Sequence, residues 1–154
     1  MKPSIPIAIL VADDDADDRL MTRDAFQESH LNNPVFFVED GVALMDYLLR
    51  RGKFANPTDS PRPGIILLDL NMPKMDGREA LREIKAHSEL KRIPVIVLTT
   101  SKAEEDVLRT YDLGANAFIS KPVTFNSLVA VMKDLGRYWL EIVTLPMEVT
   151  DDGE

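Results

Sequence analysis

The sequence predicts an α/β fold, an open doubly wound sheet of parallel strands wrapped by helices, and three observations carry that prediction. Five short apolar runs recur along the chain, rich in β-branched and aromatic residues. Most of them lack polar alternation, the pattern of strands covered on both faces. Between them lie segments whose apolar residues recur at helical spacing, so strand and helix alternate, and right-handed crossovers turn that order into a parallel sheet.

Residues 7–12 form the first strand, closed by a block of aspartates. Leu20, Met21, Ala25 and Phe26 then share one side of a helix over 16–29. The second strand is 35–38, and Val42, Leu44, Met45 and Leu48 carry a helix over 42–50. Residues 52–64 contain three prolines and several polar residues, which reads as a mobile loop. The third strand is 65–68, followed by a helix over 77–86 on Ala80, Leu81 and Ile84. After the fourth strand, 95–98, Ser101 and Glu104 have capping-box spacing. The fourth helix should therefore begin at Lys102, run through Val107, Leu108 and Tyr111, and stop near Gly114. The fifth strand is 117–119, and Thr124 caps a fifth helix whose stripe is Leu128, Met132, Leu135, Trp139 and Ile142.

A chain of 154 residues suits one core, so residues 1–145 read as a single domain and 146–154 as an acidic, frayed tail. With only eleven residues after Val143, no output domain is expected. Twenty-six acidic against eighteen basic residues leave a net charge of −8, which disfavours direct binding to nucleic acid or an anionic membrane surface. The absence of cysteine excludes disulfides and thiolate chemistry. The apolar run at 7–12 is too short for a membrane span or a secretion signal, so a cytoplasmic location is expected.

In open α/β sheets the functional crevice lies beyond the carboxyl ends of the strands. The polar groups standing there are Asp13, Asp14, Asp69, Thr99 and Lys121. Three carboxylates brought that close repel unless a proton or a cation relieves them. An all-oxygen donor set without His or Cys selects a hard ion such as Mg²⁺, which accepts carboxylates together with a phosphate oxygen. Thr99 and Lys121 would then hold oxygens of a transferred phosphoryl group, and Asp69 would be the carboxylate nucleophile. Asp15, Asp17 and Asp18 read instead as capping and helix-dipole residues. His30 and His87 read as surface or capping residues, and Met72 and Met75 as loop packing.

These residues resemble the receiver domains of two-component response regulators over nearly the whole chain, from about Ile7 to Val143. The motifs are Val11-Ala12-Asp13-Asp14-Asp15, Leu68-Asp69-Leu70-Asn71-Met72-Pro73 followed by Asp76-Gly77, Leu98-Thr99-Thr100-Ser101, and Lys121-Pro122. The resemblance implies a flavodoxin-like (βα)5 fold with strand order 2-1-3-4-5. It implies that Asp69 accepts a phosphoryl group from a phosphohistidine on a sensor histidine kinase. Asp13, Asp14, Asp69 and the backbone carbonyl of Asn71 would hold Mg²⁺, or Mn²⁺ in its place. Thr99 and Lys121 would bind the phosphoryl oxygens, Phe118 would be the switch aromatic, and the Lys121-Pro122 peptide would be cis, an isomer proline brings within about 0.5–1 kcal/mol of trans. Asn71 and Ser101 would set the lifetime of the acyl phosphate.

The long loop after the second helix, the segment Leu98-Thr99-Thr100-Ser101-Lys102 and the ending Tyr138-Trp139-Leu140-Glu141-Ile142-Val143-Thr144-Leu145-Pro146 look like stand-alone regulators paired with bacterial phytochrome kinases. Tyr111, Tyr138, Trp139 and Val143 add apolar surface to the face built from the fourth helix, fifth strand and fifth helix, where a homodimer or an effector is expected to sit. Two other functions compete. A haloacid dehalogenase-like phosphatase also uses an aspartyl nucleophile, Mg²⁺ and Lys, but Asn71 occupies the position of its acid/base aspartate and cannot transfer a proton. A receiver-fold module that binds partners without phosphorylation is the other.

Overall fold

A computed structural model describes residues 7–58, 60–100 and 104–142. Five parallel strands lie in the order β2-β1-β3-β4-β5, with β1 Ile9–Ala12, β2 Val35–Val38, β3 Ile65–Leu68, β4 Val95–Thr99 and β5 Ala117–Ser120. The three inner strands are buried along their whole length, whereas β2 and β5, at the two edges, are mostly half-buried. That difference explains why the inner runs carry no polar alternation.

The helices are α1 Ala16–Glu28, α2 Gly41–Leu48, α3 Gly77–Ala86, α4 Glu104–Asp112 and α5 Phe125–Leu135. Alternate strand residues serve opposite faces of the sheet. Leu10, Ile66, Leu68 and Val97 pack with Leu44, Leu48, Leu81 and Ile84 of α2 and α3 on one side. Ile9, Val11, Ile65, Leu67 and Ile96 pack with Phe26 of α1 and Leu128 and Met132 of α5 on the other. The register sets Ala12 beside both Val38 and Leu68, so the chain leaves β1, β2 and β3 at the same rim.

Side-chain caps set where helices begin. Asp15 accepts hydrogen bonds from the N–H groups of Asp17 and Asp18, Asp40 from that of Ala43, Asp76 from that of Arg78 and Thr124 from that of Ser127. At the other end, α1 closes with Leu31 N–H donating to Phe26 O and His30 N–H to Gln27 O, while His30 adopts φ 61°. This is a Schellman closure with histidine in the left-handed position, so His30 is a capping residue. His87 caps the next turn through Nδ1, which accepts from Glu89 and Leu90. The capping box expected at Ser101 and the start at Lys102 lie outside the described residues, as does 146–154.

Two expectations need correction. The described residues of the loop read as mobile, 52–58 and 60–64, are tied to the body of the domain. Gly52–Phe54 make a turn of 3-10 helix, Ser60 is buried with its hydroxyl donating to Phe54 O and Asn56 O, Tyr47 donates to Pro61 O, and Arg62 donates to Leu48 O. The fifth helix also departs from its stripe: after Leu135 the chain continues as π-helix over Gly136–Ile142. Gly136 stands at the change, where a Cβ would come within 2.6 Å of the Leu31 side chain just beyond α1, so a larger residue would have to push that side chain aside. Met132 and Leu135 remain buried, and Trp139 is half-buried against the same cluster.

Candidate functional site

The rim at the carboxyl end of the sheet holds the expected residues. Sheet bonding extends one residue past β1 and β3: Asp13 N–H donates to Val38 O at 3.1 Å and Asp69 N–H to Ala12 O at 3.0 Å. Both aspartates are therefore fixed to the frame, and both are buried, at 3% and 9% exposure. Asp14 is exposed, yet carboxylate oxygens of Asp13, Asp14 and Asp69 all lie within 4.8 Å of one another. Three oxygen donors at that spacing, without His or Cys, fit a hard divalent cation.

Thr99, the last residue of β4 and wholly buried, donates its hydroxyl to Asp69 Oδ1 at 3.0 Å. Asn71 N–H donates to the same oxygen at 3.1 Å, and the Asn71 side-chain amide makes a weak 3.5 Å contact with the Thr99 hydroxyl. Lys121 arrives from beyond β5, with its N–H donating to Thr99 O at 2.7 Å. Its ammonium reaches Asp13 Oδ2 at 2.8 Å, Asp18 Oδ2 at 3.0 Å and Asp69 Oδ2 at 3.3 Å. An ammonium has three N–H donors, so these carboxylates saturate it.

Burial raises the Asp13 carboxyl above the usual carboxylate range, against the opposing pull of the Lys121 ammonium and the Asp15 N–H. Burial alone would lower Lys121, but the hydrogen bond and charge of Asp13, aided by Asp69 and Asp18, override it and hold the ammonium protonated above its ordinary range.

Close packing builds the loop after β3. A Cβ on Gly77 would stand 2.3 Å from the Asp69 carbonyl oxygen, so glycine is what lets α3 start against the site. Gly77 N–H donates to Leu70 O at 2.9 Å, and Met72 is buried beneath the loop, the packing role expected of it.

The Lys121-Pro122 peptide, expected to be cis, is trans, since no cis peptide bond occurs among the described residues. The trans linkage already places the Lys121 ammonium on Asp13 and Asp69, and trans is the isomer a prolyl amide favours intrinsically. Ser101 and Val143 lie outside the described residues. Phe118 is half-buried and packs against the cluster on the α2–α3 side. On the outer edge of β5 its N–H donates to the Tyr111 hydroxyl of α4 at 3.2 Å. Tyr111 and Tyr138 are exposed, at 47% and 53%, and Tyr138 stacks edge-on against Trp139. Tyr138 and Trp139 line an open apolar hollow together with Ile119, Val131 and Leu135.

Sequence reasoning missed two residues. Asp18, read as a helix-dipole residue, pairs with Lys121, a partner 103 residues away in sequence that no local pattern announces. Arg19 donates to the Asp13 backbone carbonyl at 2.8 Å and leans toward Glu39 at 3.8 Å, for which the sequence offered no marker.

Residues 9–133 match the response regulator receiver domain family. The response regulator Rcp1 of Synechocystis sp. (strain ATCC 27184 / PCC 6803 / Kazusa) is 44% identical over 140 residues, covering 91% of this chain and 92% of its own. The crystal structure of the phosphorylated cyanobacterial phytochrome response regulator RcpA superposes with a TM-score of 0.86 at 40% identity, covering 93% of this chain and all of that one. The Mn²⁺-bound form of Rcp1 gives 0.82 at 41% identity, covering 92% of this chain and all of that one.

Proposed function

The chain belongs to the response regulator receiver domain family, and on that premise we propose that it is a phosphoacceptor signalling protein. Asp69 takes a phosphoryl group from a phosphohistidine of a sensor histidine kinase. The observation that carries this reading is the convergence of Thr99 and Lys121 on the two carboxylate oxygens of one buried aspartate.

Asp69 Oδ1 is held by two donors at 3.0 and 3.1 Å, whereas Oδ2 has a single, longer contact with Lys121. Oδ2 is thus the freer oxygen to attack phosphorus, forming the O–P bond as the N–P bond to histidine breaks. By exchanging a present carboxylate contact, Lys121 and the Thr99 hydroxyl can each donate to a phosphoryl oxygen, the positioning and charge stabilisation that dominate phosphoryl transfer. Asp13, Asp14, Asp69 and the backbone carbonyl of Asn71 would hold Mg²⁺ or Mn²⁺. When bound, the ion neutralises charge on the transferred group and lowers repulsion among the carboxylates. Asn71, beside Thr99, and Ser101 would govern how fast water removes the phosphoryl group.

Likeness to Rcp1 and RcpA supports a kinase of the phytochrome type as the donor. The exposed Tyr111 and Tyr138, with Trp139 in the adjoining apolar hollow, support an effector or a second copy of the chain at the α4-β5-α5 face. A cytoplasmic setting suits that role; among the described residues no helix is long and apolar enough to cross a membrane. Incubation with acetyl phosphate and Mg²⁺ tests the proposal. The protein should gain the mass of one phosphoryl group, and Asp69→Asn should gain none. A gain that survives Asp69→Asn removes Asp69 as acceptor, and sustained turnover of small phosphate esters would favour a phosphatase.

A further inference from the structure

Resting on the phosphoacceptor reading above, we infer that Asp18 is a positioning residue that shares the Lys121 ammonium, holding it at the pocket when a cation occupies the other carboxylates. Lys121 has three carboxylate partners. Two of them, Asp13 and Asp69, belong to the set of oxygens spaced for a metal, and Asp18 does not. A divalent ion therefore competes with the ammonium for two of its three acceptors, and Asp18 is the partner the ion leaves alone.

The geometry suits that role. The Asp18 contact at 3.0 Å is shorter than the Asp69 contact at 3.3 Å, which biases the ammonium away from the attacking oxygen. Asp18 also sits on a fixed support, since its N–H donates to the Asp15 cap in the first turn of α1. Its side chain is 36% exposed against 5% and 10% for Asp13 and Asp69, so it stands at the edge of the pocket where water reaches it as well as Lys121. Without Asp18 the ammonium falls back on Asp13 and Asp69, where it opposes the incoming cation.

Calorimetric titration of the full chain with Mg²⁺ tests this, with no phosphodonor present. Asp18→Asn should raise the dissociation constant about three- to tenfold, the scale of one charge-assisted contact between part-exposed groups. Asp17→Asn removes the same charge from the same turn at an exposed residue outside the Lys121 contacts, and should shift it less than about twofold once salt screens the field. Asp18→Glu should recover much of the affinity. In a Lys121→Met background, Asp18→Asn should do no more than Asp17→Asn. Equal effects of Asp18→Asn and Asp17→Asn in the wild-type background overturn the inference, as does an Asp18→Asn effect that persists without Lys121. Wild-type protein that binds Mg²⁺ and is phosphorylated while those controls fail leaves the parent reading standing, whereas wild-type protein that does neither takes both down.

Discussion

Gly77→Ala is the sharpest probe of how packing holds the nucleophile. The new methyl group would stand 2.3 Å from the Asp69 carbonyl oxygen and 2.7 Å from Leu70 Cα. Both neighbours are backbone atoms, so no side-chain rotation relieves the clash. Against a practical floor of 3.0 Å, α3 and the Asp69 loop must part by about 0.7 Å. Overpacking of that kind costs about 1–3 kcal/mol. A nucleophile displaced on that scale loses up to about 10²-fold in rate. Urea denaturation gives the first quantity and phosphorylation by acetyl phosphate at saturating Mg²⁺ gives the second. Gly52→Ala is the control: Gly52 has φ 58° and no atom within 4 Å of where a Cβ would stand, so alanine adds about 1–2 kcal/mol of backbone strain without touching the pocket. Wild-type stability and rate in Gly77→Ala would refute the close-approach argument. Lost stability with a normal rate would refute its link to the site.

Asp13→Asn should raise the metal-free unfolding midpoint at neutral pH while weakening Mg²⁺ binding. Burial holds the folded Asp13 carboxyl above its unfolded value, so the stability it contributes is present below the unfolded value and lost as pH rises through the folded one. The gain from Asn should accordingly shrink in acid; a gain independent of pH would contradict this. Tyr47 behaves alike at the alkaline end, where burial, opposed by Arg50 and Arg62, pushes its phenol from 10 up to about 12. Stability should fall between pH 10 and 12 by on the order of 2–3 kcal/mol more in wild type than in Tyr47→Phe. Tyr47→Phe should also lose about 1 kcal/mol below pH 10, because the hydroxyl no longer bonds Pro61 O.

Much of the fold was legible because the buried sheet leaves an uninterrupted apolar signal. β3 matches the expected run at both ends, and β1 and β4 differ by two residues and one, where the ladder begins or ends. The pocket was legible for the same reason: parallel strands put every strand's exit at one rim, so Asp13, Asp69, Thr99 and Lys121 had to meet. What escaped depends on contacts distant in sequence. The close approach of Gly136 to Leu31 joins segments far apart in sequence, and the loop after α2 is anchored by Tyr47 and by carbonyls that no pattern announces. Asp18 was hidden by a competing local role, since an acid in the first turn of a helix already has a reason to be there.

The bond from the Phe118 amide to the Tyr111 phenol bears on how this sheet avoids growing. β5 is a border strand, and outward-facing amides on a border recruit any extended peptide that drifts alongside. One of those amides is already taken by a ring that projects from the neighbouring helix into solvent. A strand that approaches this margin at Phe118 therefore meets the Tyr111 ring instead of a free amide, which interrupts the ladder there and weighs against strand-by-strand stacking.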